Sequence, residues 1–212
     1  MLKLDHLTVI APSLGAGVEH VRTSLGIGVP HGGAHPEMGT HNHLLRLGDD
    51  LFLEVIAIDP HARAPAGPRW FGLDHPDAIQ SAWEQGRRLR AWVARTDDLD
   101  AVLAAHGDLL GRKTSVSRGD RSWSFSVRED GLLPAEGAAP SVIAWSDRGC
   151  PASAMPDVGA RLVTFVIEHP DPSWVKDLYT SLEVENPPEV YKGQQVRHWA
   201  VINTPNGTKE LC

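Results

Sequence analysis

Leu4-Asp5-His6-Leu7-Thr8-Val9-Ile10, followed by Pro12-Ser13 and then Leu14, Val18, Val21 and Leu25 before Gly26, is the stretch that decides the fold. Its first part is rich in Leu and β-branched residues and reads as a strand. Ser13 is placed to cap a helix, and the four apolar residues after it recur at helical spacing until Gly26 stops them. Side chains on a strand alternate between its faces, so His6 shares a face with Thr8 and Ile10. Leu7 and Val9 point the other way, toward a covering helix, and His6 is left facing the open side.

Working outward, residues 30–39 form a Gly/His/Pro-rich loop, and a hairpin follows. It runs from Thr40 to Leu47, turns at Gly48-Asp49-Asp50 and returns from Leu51 to Ile58, closing at Asp59-Pro60. The same order restarts at Leu89 to Arg95, where Asp97 or Asp98 caps a helix carrying Leu99, Val102 and Leu103 and ending at Gly107. Alternation at Trp123, Phe125 and Val127, and then the run Ser141 to Trp145, supplies its closing strands. A third, shorter version begins at Leu162 to Ile167, with Ser173 as cap and Trp174, Val175, Leu178, Tyr179 and Leu182 on a helical face. It ends with Val196 to Asn203 and Lys209 to Leu211. Repetition of one supersecondary unit predicts an α+β protein whose modules stack or pair. The expected division is residues 1–148 with two modules, 1–60 and 85–148, and residues 158–212 as a third βαββ unit packed on them.

Glu54 sits in the middle of the apolar run from Leu51 to Ile58, on the face that carries Phe52, Ile56 and Ile58. An ionised carboxylate there is costly unless it is paired, and a His or a metal is the natural partner. His41 and His43 lie on one face of the preceding strand. One hairpin register brings that face level with Glu54, and the alternative brings Asn42 and Leu44 there instead, because a slip of one residue turns every side chain over. His31 and His35 read as solvent-exposed loop residues, and the remaining histidines as structural or surface groups.

The net charge of −7 argues against nucleic acid or an anionic membrane as partner. The chain opens directly on the strand pattern with no secretory leader, and its apolar runs are too short to span a bilayer, so the expected location is the cytoplasm. Cys150 and Cys212 lack the spacing of a disulfide framework or a zinc site and read as ordinary thiols. Seven Trp against two Tyr point to an apolar, ring-accepting cavity.

These features resemble the vicinal oxygen chelate superfamily, and within it the glyoxalase-like branch. The stretches that carry the resemblance are Leu4 to Val9, Gly39 to Gly48, Leu51 to Ile56, Phe71-Gly72-Leu73-Asp74 and Trp92 to Asp100. The resemblance implies βαβββ modules paired into an open, cupped β-barrel with helices outside, and divalent-metal ligands on the first and last strands of each module. His6 and Glu54 match those two places in the first module. The second module departs from the pattern, offering Ala91 or Trp92 on its first strand and Ile143 or Trp145 on its last.

What the resemblance implies for function is a metal-dependent lyase, isomerase or dioxygenase acting on a small vicinally oxygenated metabolite. His6, Glu54, His41 and His43 are the candidate ligands of Zn, Mn, Ni, Co or Fe(II), which the ligand types do not separate. His6 and Glu54 are also the catalytic candidates, with Glu54 favoured as ligand over base. Asn42, Trp70, Phe71, Trp92, Trp123 and Trp145 are the candidate substrate contacts. The alternative is a metal-free protein of the same fold that sequesters a small molecule. An odd third unit either caps the cup or meets a partner's copy, which admits a homodimer.

Overall fold

The computed structural model describes every residue except 147 and 148, so the expected domain limit at 148 falls outside the described residues. The first module runs β1 (Leu2–Ile10), α1 (Leu14–Leu25), β2 (His31–His35), β3 (Thr40–Arg46) and β4 (Phe52–Ile58). After helix α2 (Pro76–Glu84), the second runs β5 (Leu89–Arg95), α3 (Leu99–Leu110), β6 (Arg112–Arg118), β7 (Arg121–Val127) and β8 (Ser141–Trp145). Strand order β2-β3-β4-β1-β5-β8-β7-β6 repeats one arrangement on either side of the β1–β5 seam, where the two modules pair antiparallel. The result is the expected α+β architecture, a cupped sheet with its helices outside.

Local chemistry sets the element ends. Ser13 accepts a hydrogen bond from the Ala16 amide at the start of α1, and Gly26 closes that helix in the left-handed region with φ 69°. Asp98 caps α3 through the Ala101 amide. Residues 30–39 depart from the expected loop, since His31–His35 pairs with β3 as an edge strand. Alternation was hidden there by Gly32-Gly33, which carry no side chain to read.

The remaining strands are β9 (Arg161–His169), β10 (Val184–Glu185), β11 (Glu189–Lys192), β12 (Arg197–Thr204) and β13 (Gly207–Leu211), with α4 (Pro172–Ser181) after β9. They form a second sheet in the order β11-β9-β12-β13, except β10, which pairs with the start of β1. The cap of α4 is Asp171, which accepts from the Trp174 amide, in place of the expected Ser173. Pro172 takes the first helical position, so Ser173 is already inside the helix.

The main core lies between the convex face of β1 and β5 and this second sheet. Leu7, Val9, Trp92 and Ala94 meet Phe165, Ile167, Val175 and Tyr179 there. Trp92 is fully buried on that side, edge-on to Tyr179, with its indole N–H directed at the Ala138 carbonyl 3.4 Å away. The expectation that Trp92 lines a substrate cavity is therefore corrected: Ala91 and Val93 face the cup, and alternation sends Trp92 outward. Among the described residues no helix is long and apolar enough to cross a membrane.

Candidate functional site

The floor of the cup is built by strand register. In the parallel β1–β4 pair, His6 lies beside Phe52 and Thr8 beside Glu54. In the antiparallel β3–β4 pair, Leu44 opposes Glu54 and Asn42 opposes Ile56. Asn42 and Leu44 thus share the face of Glu54, and His41 and His43 lie on the other. Of the two registers the sequence leaves open, the hairpin takes the second, so the candidate ligands His41 and His43 do not converge on Glu54. His43 instead hydrogen-bonds the Val29 carbonyl at 2.7 Å and packs edge-on to His31.

A β-bulge gives His6 its partner. Between β1 and β5 the pairing passes from Leu4–Ala94 directly to His6–Val93, so Asp5 is the extra residue. Strict alternation would put Asp5 on the face opposite His6, and the bulge re-aims it. Its carboxylate accepts from His6 Nδ1 at 2.7 Å and from the Trp145 indole at 2.9 Å, and Arg95 stands 3.7 Å away. The imidazole is stacked on Phe52, with ring centroids 4.5 Å apart. Held on Nδ1, the ring points Nε2 at Glu54 Oε2, 3.6 Å away. That is beyond a hydrogen bond but within ion-pair range.

Glu54 is 6% exposed, and its other oxygen accepts from the Asn42 amide at 2.6 Å. Asn42 in turn accepts from Arg118 at 3.2 Å. Arg118 comes from the end of β6, and the backbone of Gly33 is what lets its stem cross the mouth. A Cβ there would stand 3.1 Å from Arg118 Cδ. Beside it the Ser117 hydroxyl donates to Glu37 at 2.7 Å, joining β6 to the turn between β2 and β3.

His35, read from sequence as an exposed loop residue, is buried in this wall. Asn42 and Arg118 both direct N–H groups at its Nε2 from 3.5 Å, and Nδ1 lies 3.0 Å from the Thr40 hydroxyl. This network assigns the Nδ1–H tautomer. Burial, helped by the Arg118 charge, lowers its pKa to about 3, so the ring is neutral. Burial also lowers Arg118 from the usual guanidinium value, and the charge of Glu54 opposes that shift.

Trp70, Phe71, Trp123, Phe125 and Trp145 complete the lining with Ile143. About 400 Å³ of empty space, partly open to solvent, lies among these groups, but only about 30 Å³ admits the centre of a water-sized sphere. The cavity therefore takes a few heavy atoms unless side chains move. Phe71 sits at φ 59°, a left-handed conformation costly for a bulky residue, and packs edge-on to Phe125. The indole nitrogen of Trp70 is buried without a hydrogen-bond partner among the described residues.

The donor set does not fit a divalent ion. No group of three or more His, Cys, Asp or Glu side chains converges among the described residues. The second module offers the cup the apolar Ala91, Val93 and Ile143 from its first and last strands, and the Asn42 amide and Arg118 cation stand beside Glu54 where further ligands would be needed. The chemistry on offer is a His–carboxylate pair facing a cationic and amide wall, enclosed by aromatic rings.

Paired βαβββ modules closed into a cup, with the polar groups on its concave face, are the architecture of the vicinal oxygen chelate superfamily. More narrowly, the chain belongs to the glyoxalase-like domain family, whose model it matches over residues 4–183. Among solved structures, a hypothetical protein from Staphylococcus aureus is similar at 13% identity, covering 93% of this chain and 88% of that one with a TM-score of 0.61. A Streptomyces coelicolor methylmalonyl-CoA epimerase variant in complex with 2-nitronate-propionyl-CoA matches at 18% identity, covering 68% and 94% with a TM-score of 0.41. The methylmalonyl-CoA epimerase from Mycobacterium tuberculosis matches at 16%, covering 67% and 85% with a TM-score of 0.39. No curated protein matches the sequence.

Asp5, His35 and Arg118 are the site residues that sequence reasoning missed. Asp5 needed the bulge, His35 the edge strand and Arg118 the return of β6 over Gly33. None of these leaves a local signal, although an Asp directly before a candidate His invited a check for a bulge.

Proposed function

We propose that the cup binds a small carbonyl compound and moves a proton on the carbon next to the carbonyl, as an isomerase or lyase without a metal. The observation that carries this reading is the Asp5–His6–Glu54 array opposite Arg118. Glu54 accepts the proton from carbon, the C–H electron pair becomes the second bond of a C=C, and the carbonyl π pair moves onto the oxygen. Arg118 and the Trp70 indole stabilise the resulting oxyanion. His6, oriented by Asp5, is the group that returns a proton, to the same carbon for isomerisation; in the lyase outcome the oxyanion re-forms the carbonyl, the double bond shifts to the neighbouring carbon, and the group expelled from that carbon takes the proton from His6.

Support comes from two further features. The unpartnered Trp70 nitrogen calls for an acceptor that a ligand oxygen would supply. The narrow space fits a molecule of few atoms, such as a 2-hydroxy or 2-oxo acid. A second reading is sequestration without chemistry, favoured by the fact that both Glu54 oxygens already have contacts, Asn42 on one and His6 on the other.

The test is to incubate the protein with a panel of small 2-oxo and 2-hydroxy carbonyl compounds in heavy water and follow loss of the C–H signal by NMR. Exchange in the wild type that is lost in Glu54→Gln supports catalysis. Saturable binding with no exchange supports sequestration.

A further inference from the structure

A second cavity lies behind Phe71, between α2, the start of β5 and the turn before β12. His75, Arg87, Arg90, Glu136 and Gln195 give it polar groups, and Leu133 with Phe71 forms an apolar wall. It holds about 780 Å³ of empty space, open to solvent, of which about 280 Å³ admits the centre of a water-sized sphere. That is roomier at this scale than the cup. Three of the four residues 87–90 are Arg in a chain whose net charge is −7, so positive charge is concentrated at this point.

The placement of Arg90 has a specific cause. Along the β1–β5 seam the pairing passes from Thr8–Ala91 to Val9–Leu89, so Arg90 is the extra residue of a second bulge. As with Asp5, the bulge turns a charged side chain off the plain alternation of its strand, and here the side chain lines the second cavity. Gly137 secures the backbone there: its φ is 98°, and a Cβ on it would clash with the Arg90 carbonyl at 2.5 Å.

Arg90 is largely buried, yet among the described residues none forms a hydrogen bond or ion pair with its guanidinium. Burial, with Arg87 adding like-charge repulsion, lowers its pKa to about 10. Arg87 is held by the Gln85 side chain at 3.2 Å, and Glu136, the acidic group of the lining, forms no ion pair with either arginine. A buried guanidinium without a counter-charge costs stability, and a planar fork of donors is what carboxylates and phosphates bind.

We propose that this cavity is an oxyanion-binding site. The Arg90 guanidinium takes the carboxylate or phosphate group, Arg87 and Gln195 add to its hold, and the Phe71–Leu133 wall takes an apolar portion of the same ligand. The site gives the segment carrying Gln195, beyond residues 4–183, a part in binding.

Calorimetric titration of the full chain with benzoate and with phenyl phosphate tests this, since each joins one oxyanion to a ring. Binding of either probe that weakens at least tenfold in Arg90→Gln, weakens less in Arg90→Lys and is unchanged in Arg118→Gln supports the site, and the stronger probe identifies the oxyanion. Arg90→Gln removes an unpaired buried charge, so its melting temperature should equal or exceed that of the wild type, which separates lost binding from lost folding. The proposal is overturned if neither probe binds the wild type at millimolar concentration, if Arg90→Gln binds as the wild type does, or if binding depends on Arg118 instead.

Discussion

His6 Nε2 faces Glu54 Oε2 across 3.6 Å, while Nδ1 of the same ring is held by Asp5 at 2.7 Å. The imidazole is thereby fixed at one nitrogen and presented to a carboxylate at the other. Replacing Glu54 by Gln keeps the shape and the amide contact but removes the acceptor. Proton exchange should fall by about 10²–10⁴-fold, the usual worth of a positioned acid or base, with the folded state retained by circular dichroism.

Asp5 acts through His6 and not on the ligand. Asp5→Asn offers an N–H to one of two donors that now share the carboxylate, His6 Nδ1 and the Trp145 indole. The expected cost is about 1–3 kcal/mol in urea unfolding, the penalty for an unsatisfied buried group. In an enzyme assay kcat should fall more than KM rises, because ring orientation suffers before ligand contact does.

Gly32 and Gly33 differ in what they protect. A Cβ on Gly32 would overlap the Asn42 side-chain oxygen and come within 2.9 Å of Leu44 Cγ, inside the wall of the cup. Gly32→Ala should destabilise by about 1–3 kcal/mol, as overpacking does, and pull Asn42 from Glu54. Gly33→Ala meets only the flexible Arg118 stem, so thermal unfolding should barely change while ligand binding weakens. Equal losses of stability in the two variants would contradict this assignment.

Two buried histidines set a pH dependence. Burial lowers His35 to about 3 and His198 to about 4, with Arg118 beside the first and Arg90 and Arg87 near the second adding to the shift. Both are neutral when folded, so the unfolded chain binds more protons below its own His value of about 6.5. Their contribution is present above that pH and is lost as pH falls toward 3 for His35 and 4 for His198, at up to about 1.4 kcal/mol per pH unit for each. Carboxylates titrate in the lower part of this range, so the informative quantity is the difference in slope between wild type and His198→Gln from pH 6.5 to 5. A shallower slope in the variant is expected, and identical slopes would refute it.

Much of the fold was legible in the sequence because each module repeats a strand, a capped helix and a hairpin, and the hydrophobic pattern of Leu4–Ile10 and Leu51–Ile58 survives in the structure. His6 and Glu54 could be singled out because a His on the open face and a Glu in an apolar strand are locally conspicuous. The rest depended on events that sequence does not localise. The choice between Asn42 and His43 was a register of one residue, Trp92 was assigned to the wrong face of its strand, and Asp5 reached His6 only through a bulge. Arg118 came from a strand 76 positions beyond Asn42.

Metal addition should have little effect. With Mn(II), Zn(II), Ni(II) or Fe(II) present, the melting temperature is expected to stay constant, because Asn42 and Arg118 stand where further ligands would be needed. A stoichiometric ion retained by the wild type and lost in both His6→Ala and Glu54→Gln would reverse that conclusion.

The most direct test of the central claim is deuterium exchange at the carbon next to the carbonyl, measured by NMR on a compound whose binding in the cup is established by its loss in Arg118→Gln. The account predicts exchange well above the buffer rate in wild type and a fall of about 10²-fold or more in Glu54→Gln. A compound that binds in an Arg118-dependent way yet exchanges no faster than in buffer, or exchanges equally fast in Glu54→Gln, would contradict it.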